Sequence, residues 1–400
     1  MPWKECSIVS QREEFVQLAA VAEANLALLF RRFGLARKTG YKWLRRYRQE
    51  GLAGLSDRSR RPLDSPHQTA AAVEREVVAL RQAHPAWGGR KISARLRALG
   101  LGPLAVPAAS TVTSILHRHG LIEASASQAA SGWQRFEHPK PNDLWQMDFK
   151  GDFALSGGGR CHPLTVLDDH SRYNLVLEAC GHQQGSLVEG HLRTAFRRYG
   201  LPRAMLMDHG SPWGPSSSTE YWTVLAVWLV RLGIRVFHGR VCHPQTQGKE
   251  ERFHRTLKAE VLRWRSFGDL AETQQVFDRW RRVYNYERPH EALELGVPAS
   301  RYQPSGRSYP EQLGAIEYES GAVVRQVKSD AAIRLGGRRY RIGKAFRGQP
   351  LALRATGVEG QYVVYYCDQR IGVLDERAGT YLRQPLGEAL APLTPPPTAP

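Results

Sequence analysis

Apolar residues recur at helical spacing along the first part of the chain. Phe15, Leu18 and Ala22 lie three or four residues apart, and a further helical pattern covers residues 36–47. Gly34 precedes that last segment, where a glycine supplies the tight corner of a helix-turn-helix. The pattern therefore predicts three short helices, the last of which carries the side chains that would contact DNA.

Helical periodicity resumes after residues 56–69, a basic segment with proline and serine that is typical of a linker. Its apolar stripes predict a second small helical unit from about 70 to 121. Basic residues around a glycine turn in this unit fit a second helix-turn-helix, and ordinary helical packing is the alternative. Residues 124–132 are small and polar without periodicity, which indicates a flexible boundary.

From residue 143 the apolar and polar positions change to the spacing of strands. Three β-rich runs in series suggest hairpins, and strands and helices then alternate up to a long helix from about residue 246. This order predicts a mixed α/β sheet. After residue 314, short strands separated by glycine-containing turns predict a small β-barrel, and the last fourteen residues are proline-rich and are expected to be disordered.

The sequence thus predicts a multidomain protein with N-terminal all-α helix-turn-helix modules, a central α/β mixed sheet and a C-terminal small β-barrel. The predicted divisions are helix-turn-helix modules at 1–60 and 67–123, a linker at 124–142, the α/β core at 143–305, the barrel at 314–386 and the tail at 387–400.

The charge of the chain points to a polyanionic partner. Lys and Arg outnumber Asp and Glu by 56 to 38, and a net +9 of the resulting +18 lies between Arg31 and Arg61. Nucleic acid is the expected partner. An anionic membrane surface is the rival, but no segment approaches the length of about 18 apolar residues that a spanning helix needs, and no secretory signal pattern begins the sequence.

Basic side chains on the predicted recognition helix and linker are the first candidates for DNA contacts, although a solvated basic helix would have the same composition. In this region they are Arg37, Lys38, Lys42, Arg45, Arg46, Arg48, Arg58, Arg60 and Arg61. Arg90 and Lys91 are the candidates in the second unit. The five cysteines have no C-x-x-C spacing, so neither a disulfide framework nor a cysteine zinc site is expected.

Three carboxylates lie at positions where α/β proteins commonly have active-site residues. Asp148 alternates with apolar neighbours in a predicted strand, and Asp208 ends another strand and starts a loop. Glu251 lies near the start of the long helix, away from the apolar stripe of that helix. Each acid by itself is weak evidence, because an isolated Asp is more often a turn feature. Together they suit two hard divalent cations, which prefer oxygen ligands.

Several segments in order resemble the integrase-type catalytic core of bacterial insertion-sequence transposases. They are LWQMDFKG, LTVLDDHSRY, the Asp208-His209-Gly210 loop, HPQTQGKEERFHRTL and YNYERPHEALELGVPASRY, which together span about 143–305. The helix RKTGYKWLRRY and the segment WGGRKI resemble the N-terminal modules of the same transposases. This resemblance implies an RNase H-like fold, a catalytic and metal-binding Asp148, Asp208 and Glu251 triad, and Mg²⁺ or Mn²⁺ as the metal.

Residues beside the triad have alternative interpretations. The Gly-Lys-x-Glu-Arg pattern of the resemblance selects Glu251 over its neighbour Glu250. Asp168 and Asp169 are expected to tie a hairpin by local hydrogen bonds, and support of the metal ligands is their alternative role. His254 is expected to pack at the surface, with a role as general acid as the alternative. His209 departs from the resemblance, since Asn often follows the second Asp in the relatives. The remaining candidates for DNA contacts near Glu251, for which helix capping is the alternative, are His243, Gln245, Gln247, Lys249, Arg252, Arg255 and Lys258.

The resulting hypothesis is a DNA transposase of the bacterial cytoplasm, associated with the nucleoid. It would bind double-stranded DNA at terminal inverted repeats, free 3′-hydroxyls by hydrolysis and transfer them to target DNA, as a homo-oligomer in a synaptic complex and without membrane association. A tyrosine recombinase is disfavoured because the ordered motifs are centred on carboxylates. A domesticated or inactive transposase that acts as a DNA-binding regulator is one alternative, and a simple nuclease is another.

Overall fold

The computed structural model describes residues 8–58, 68–100, 105–122, 137–214, 221–238, 248–384 and 387–388. The chain divides into two compact units, Met1–Gln68 and Thr69–Pro400. Most of the predicted linker at 56–69 and all of the predicted boundary at 124–132 lie outside the described residues.

The first unit is a small helical domain. It consists of α1 (Ile8–Ala19), α2 (Leu26–Arg32), α3 (Arg37–Glu50) and a 3₁₀ turn at Gly51–Leu55. Phe15, Phe30 and Trp43 form its buried core. Gly34 has a φ of 62°, which only glycine adopts freely, at the corner between α2 and α3. The three predicted helices and the glycine turn are therefore confirmed.

The second unit begins with another three helices, which the periodicity also predicted. They are α4 (Ala71–Ala83), α5 (Gly89–Leu99) and α6 (Ala109–Arg118). Val77, Ile92 and Leu116 are fully buried between them, together with the ring of Trp87, which stacks on His84 at 3.9 Å between ring centroids.

A mixed sheet follows, as predicted. Its strands are β1 (Trp145–Phe149), β2 (Phe153–Ala154), β3 (Arg160–Asp168), β4 (Asn174–Cys180), β5 (Ala204–Met207) and β6 (Arg235–His238). The main order is β4-β3-β1-β5-β6, in which β1 pairs antiparallel with β3 and parallel with β5. The helices around it are α7 (Gly185–Tyr199), α8 (Val224–Arg231), α9 (Gly248–Leu257) and α10 (Leu270–Tyr286).

The two faces of this sheet are covered by different helices. Trp145, Met147 and Phe149 of β1 point to the face that packs on α7 and α8. On the other face, α9 and α10 contribute Phe253 and Phe277 to a separate core. Because side chains alternate along a strand, Asp148 is placed on the α9 side.

Side-chain amides of α10 bind the open edge of β4. Asn285 accepts a hydrogen bond from the Asn174 N–H at 2.9 Å and donates to the Asn174 carbonyl at 3.0 Å. Gln274 accepts from the Ala179 N–H at 2.7 Å and donates to the Leu177 carbonyl at 3.1 Å. These backbone N–H and carbonyl groups of the edge strand are therefore hydrogen-bonded within the protein and are not available to pair with a strand of another chain.

The C-terminal part is an antiparallel β-domain. Its strands are β7 (Val323–Gln326), β8 (Ala332–Leu335), β9 (Arg338–Arg341), β10 (Pro350–Ala355), β11 (Gln361–Tyr366), β12 (Gln369–Asp375) and β13 (Thr380–Arg383). Five of them form a sheet in the order β13-β12-β11-β10-β7, and β8 and β9 form a separate ribbon. The sequence patterns predicted six of these strands and missed β13.

The predicted closed barrel is not found in the described residues, where the five-stranded sheet is open. The β8–β9 ribbon lies beside both edge strands, so β7 and β13 do not pair with each other. Arg383 of β13 instead donates from its side chain to the Ile342 carbonyl just after β9, at 3.2 Å. A side-chain contact thus replaces the backbone ladder that closure would need.

The predicted disordered tail contains a short element. Gly387–Glu388 forms β14, which pairs in parallel with Phe237 and His238 of β6, and the rest of the tail lies outside the described residues. No helix in the described parts of the chain is both long and apolar enough to cross a membrane.

Replacing Asn285 with Ala is expected to lower the free energy of unfolding by about 2 kcal/mol, because it leaves a buried N–H and a buried carbonyl of Asn174 without partners. Gln274→Ala serves as the comparison and should cost less, since water reaches the partly exposed Ala179, whose N–H it frees, whereas both groups that Asn285 binds belong to the fully buried Asn174. Denaturant unfolding of both variants measures the difference. Equal losses would contradict this account of the edge.

Candidate active site

Asp148 lies in the middle of β1, directly opposite Thr165 of β3 in the antiparallel register. The Thr165 hydroxyl lies 3.0 Å from the Asp148 carbonyl oxygen and can donate to it. The Asp148 side chain is largely buried and faces His254 of α9, with 3.9 Å between the carboxylate Oδ2 and the imidazole Nδ1. The strand alternation inferred from the sequence is therefore confirmed.

Asp208 directly follows β5, the parallel neighbour of β1. Its carboxylate accepts a hydrogen bond from the Gly210 N–H at 3.0 Å, which fixes the start of the loop. His238 at the end of β6 has its Nδ1 2.6 Å from the Asp208 carbonyl oxygen, and His209 stacks on the His238 ring at 4.8 Å. His209 thus packs against a neighbouring strand end.

Glu251 lies in the first turn of α9 and is exposed to solvent. The buried residues of the same helix, Phe253 and Leu257, hold α9 against the sheet and leave Glu251 off the apolar stripe. The loop that leads into α9, with His243, Gln245 and Gln247, lies outside the described residues.

The structure brings these three carboxylates into one region. Burial is the main cause that raises the pKa of Asp148 to about 7, and the charges of Asp208 and Glu251 contribute to the same rise. Burial also raises the pKa of Asp208. Like charges held together in this way are destabilised without a cation, and each of them supplies the oxygen ligands that a hard divalent ion prefers.

Within the described parts of the chain, no three His, Cys, Asp or Glu side chains are grouped tightly enough to hold one metal ion. Asp148 comes from within β1, Asp208 from the residue that follows β5 and Glu251 from the start of α9, and all three are at least partly accessible to solvent. The donor set fits divalent ions that each take two protein carboxylates and complete their shell with water or phosphate oxygens.

Glu250, which the sequence set aside, is fully buried beside this region. Its Oε2 lies 2.9 Å from the Thr165 hydroxyl, which also lies 2.8 Å from His254 Nε2. One hydroxyl has one hydrogen, so Thr165 donates to only one of its three neighbours. The Asp148 carbonyl oxygen can only accept, whereas a protonated Glu250 or the His254 Nε2–H can donate to the Thr165 oxygen. Burial raises the pKa of Glu250 well above the ordinary range, and lowers the pKa of His254 to about 3.

Asp168 and Asp169 both have structural partners, but only Asp168 has the local hydrogen bonds, to Ser171, that the sequence predicted, whereas the partners of Asp169 are distant in the sequence. Asp168 accepts hydrogen bonds from the Asn142 N–H at 2.7 Å and from the N–H and hydroxyl of Ser171 at 2.8 and 2.5 Å. Asp169 accepts from the His138 N–H at 2.8 Å and from the Gln146 amide at 2.7 Å. Both carboxylates are buried and satisfied, which suits anchoring of the strand ends.

Lys249 was expected to contact DNA, and the structure places it differently. Its ammonium lies 2.5 Å from an Asp169 carboxylate oxygen, and burial lowers its pKa to about 8. The charge of Lys249 is thus already paired inside the protein, where it holds the start of α9 to the end of β3.

The other basic candidates fall into separate groups. On α3, Arg46 lies over the Trp43 ring, and the residues exposed to solvent are Arg37, Lys38, Lys42, Arg45 and Arg48. Arg58 pairs with Glu50, Arg90 lies 3.7 Å from Glu291, and burial lowers the pKa of Lys91 to about 8. Three exposed cations follow Glu251 on α9, namely Arg252, Arg255 and Lys258. Arg60 and Arg61 lie outside the described residues.

Two residues near Asp148 were missed or misjudged from the sequence. Thr165 is an ordinary strand residue until the register sets it opposite Asp148. His254 was interpreted as a surface residue, but only 13% of its side chain is exposed, between Asp148 and Glu250. The spacing of Glu250 and His254 by one helical turn was the available signal, and it does not say which partner they face.

Family comparisons agree with this architecture. An integrase core domain matches residues 138–244 and a second integrase core model matches 232–298. A helix-turn-helix domain matches 11–62, a homeodomain-like domain 39–116, and the C-terminal domain of the IS481 family of transposases 322–382. Helix-turn-helix, integrase core and IS481-type C-terminal models therefore match successive parts of the chain.

Two curated relatives are insertion-element proteins. The chain is 31% identical over 159 residues to the insertion element IS407 uncharacterized 31.7 kDa protein of Burkholderia multivorans, over 40% of this chain and 54% of the relative. It is 28% identical over 260 residues to the insertion element IS476 uncharacterized 39.2 kDa protein of Xanthomonas euvesicatoria, over 62% of this chain and 69% of the relative. The match therefore spans about half the length of the first relative.

Solved structures with local similarity are retroviral. A simian T-cell lymphotropic virus intasome in complex with the PP2A regulatory subunit B56 gamma is 15% identical, with a TM-score of 0.36 over 72% of this chain and 91% of that one. The magnesium-bound HTLV-2 integrase catalytic core is 11% identical, with a TM-score of 0.32 over 42% of this chain and 100% of that one.

Asp148→Asn is expected to stabilise the metal-free protein above pH 7 and to change little at pH 5. A carboxyl whose folded pKa is raised to about 7 contributes stability below its unfolded value, near 4, and loses it as the pH rises through 7. The neutral amide does not suffer that loss, so the gain should reach about 1 kcal/mol or more at pH 8.5. Thermal unfolding in the presence of a chelator at both pH values measures the gain in stability. A variant that is no more stable than the wild type at pH 8.5 would contradict the raised pKa of Asp148.

Proposed function

We propose that this protein is a DNA transposase that binds the ends of its element, frees 3′-hydroxyls by hydrolysis and joins them to target DNA. The observation that carries the proposal is the proximity of Asp208 and Glu251 to Asp148, whose pKa is raised by burial and, to a lesser extent, by the charges of these two acids. Acids that serve only structure, such as Asp168, are buried with donors on both oxygens.

In this proposal Asp148, Asp208 and Glu251 hold two divalent ions, Mg²⁺ or Mn²⁺, with Asp148 between the other two carboxylates. Bound metals would make a water molecule or a 3′-hydroxyl more nucleophilic and would stabilise the negative charge on the leaving oxygen. The exposed Arg255 and Lys258 lie one and two turns along α9 from Glu251 and hold the phosphate backbone beside the carboxylates.

The N-terminal modules recognise the terminal inverted repeats. Helix α3 has five exposed cations on a rigid helix that follows a glycine corner, the arrangement that suits entry into a major groove. The C-terminal sheet binds DNA or a neighbouring subunit. Because two element ends must be joined at one target, the active form is a homo-oligomeric synaptic complex.

Strand transfer with an element-end duplex and Mn²⁺ or Mg²⁺ tests the chemistry. Asp208→Asn and Glu251→Gln should each reduce joined product by about 10³-fold or more, since the carboxylates act as a unit. Glu189→Gln, an exposed acid on α7 paired with Arg193, is the matched control and should keep wild-type activity. Triad variants that join DNA as well as the wild type would refute the triad.

The products distinguish the alternative functions. Nicked donor DNA with no recombinant would identify a nuclease, and specific binding with neither cleavage nor joining would identify a DNA-binding regulator.

Salt dependence tests the role of α3. Each phosphate contact removed lowers the slope of log affinity against log salt by roughly 1, so Arg45→Ala should weaken end binding and flatten the slope by about that amount. Arg197→Ala, which removes an exposed arginine paired with Glu311, should leave the slope unchanged. A slope insensitive to Arg45 would remove it from the interface.

A further inference from the structure

Glu250 and Glu251 are adjacent in α9 but lie in opposite environments. Glu251 is exposed, whereas Glu250 has no solvent exposure and packs beneath Asp148. The other buried positions of this helix, Phe253 and Leu257, are apolar. A buried carboxyl group at this position is therefore unfavourable for packing alone, because its burial costs free energy unless polar contacts offset that cost.

Those contacts link three elements of the core. The Thr165 hydroxyl of β3 lies 2.9 Å from Glu250 Oε2, 3.0 Å from the Asp148 carbonyl of β1 and 2.8 Å from His254 Nε2 of α9. His254 is one turn from Glu250, with 3.6 Å between its Nε2 and Glu250 Oε2. A single hydroxyl thus connects the first two turns of α9 to the backbone of Asp148.

A second polar contact holds the same helix start from the other side. Lys249 reaches Asp169 at the end of β3 at 2.5 Å, and Asp169 is itself held by Gln146 of β1. Lys249 and Glu250 immediately precede Glu251, so its backbone is tied to β1 and β3 through both neighbours. The Glu251 side chain is itself exposed to solvent, so the described contacts that hold this turn are those of Lys249 and Glu250.

We propose that Glu250 is a positioning residue, whose carboxyl, bound to Thr165, fixes the first turn of α9 so that Glu251 faces Asp148 at the separation the metal ions require. This inference rests on the proposed function and adds a residue to it. Glu250 touches neither the metals nor DNA and acts through its neighbour. A displacement of about 1 Å in such a site can cost as much as ~10²-fold in rate.

Variants of the pair separate positioning from folding. Glu250→Leu and Thr165→Val each break the contact, and the double variant replaces both partners with apolar groups, which a core tolerates better than one unpaired polar group. The double variant is expected to fold, to lose about 10-fold in the rate of joining at saturating DNA and to keep the wild-type KM for DNA. It should be no slower than either single variant, because both remove the same contact.

Conservative and control variants sharpen the test. Glu250→Gln keeps an amide N–H for the Thr165 oxygen and should restore activity to within about threefold of wild type. Thr256→Val, on the same helix but bonded only to the Arg252 carbonyl of its own turn, should behave as wild type. These outcomes would not follow if Glu250 merely stabilised the fold.

Metal binding gives a readout that does not depend on catalysis. Mn²⁺ should raise the unfolding midpoint of the wild type and of Glu250→Gln, and should raise it less for the double variant and not for Asp208→Asn. The role of Glu250 would be overturned if the double variant folds, joins DNA at the wild-type rate and shows the full Mn²⁺ shift. If Asp208→Asn is inactive in the same experiment, the proposed function would remain intact. An active Asp208→Asn without loss of the Mn²⁺ shift would instead overturn the proposed function.

Discussion

The register of β1 between β3 and β5 is the constraint on which the rest of the site depends. Because of this register, the aromatic and sulfur-containing side chains of β1 point into the core that packs on α7 and α8, and the Asp148 side chain points towards α9. A slip of one residue would exchange these faces and bury the carboxylate in an apolar layer. The same register sets Thr165 opposite Asp148 and brings the end of β5, with Asp208, alongside.

Acids in this core have two contrasting environments. Asp168 and Asp169 are more deeply buried than Asp148, yet backbone and side-chain donors satisfy them, so their burial holds loops and strand ends in place. Burial raises the pKa of both Asp148 and Asp208, and the like charges of Asp208 and Glu251 add to the rise at Asp148. A structural carboxylate differs here from a proposed metal-binding carboxylate in the number of hydrogen-bond donors around it. These donors come from other parts of the chain, so they cannot be identified from the sequence alone.

Periodicity was sufficient for the helices of the N-terminal modules and for the strands of the core, because apolar spacing directly reflects which face is buried. It did not reveal that the charge of Lys249 pairs with an acid about eighty positions away in the sequence, or that Glu250, which the motif pattern set aside in favour of Glu251, is fully buried. It also failed at the C-terminal barrel, since the number of strands was nearly right but closure depends on edge pairing that the β8–β9 ribbon prevents. Long-range partners decided each of these cases, and local patterns contain no record of them.

The edges of the central sheet limit how copies of the protein can associate. One edge strand, β4, has its outward backbone groups bound by the amides of Gln274 and Asn285, and the opposite strand, β6, pairs with the chain's own residues 387–388. A strand arriving from another copy would have to displace these partners before it could extend the sheet. Contacts between copies of the chain, where they form, would therefore have to use helices, loops and side chains, and such contacts can separate without breaking a continuous ladder of main-chain hydrogen bonds.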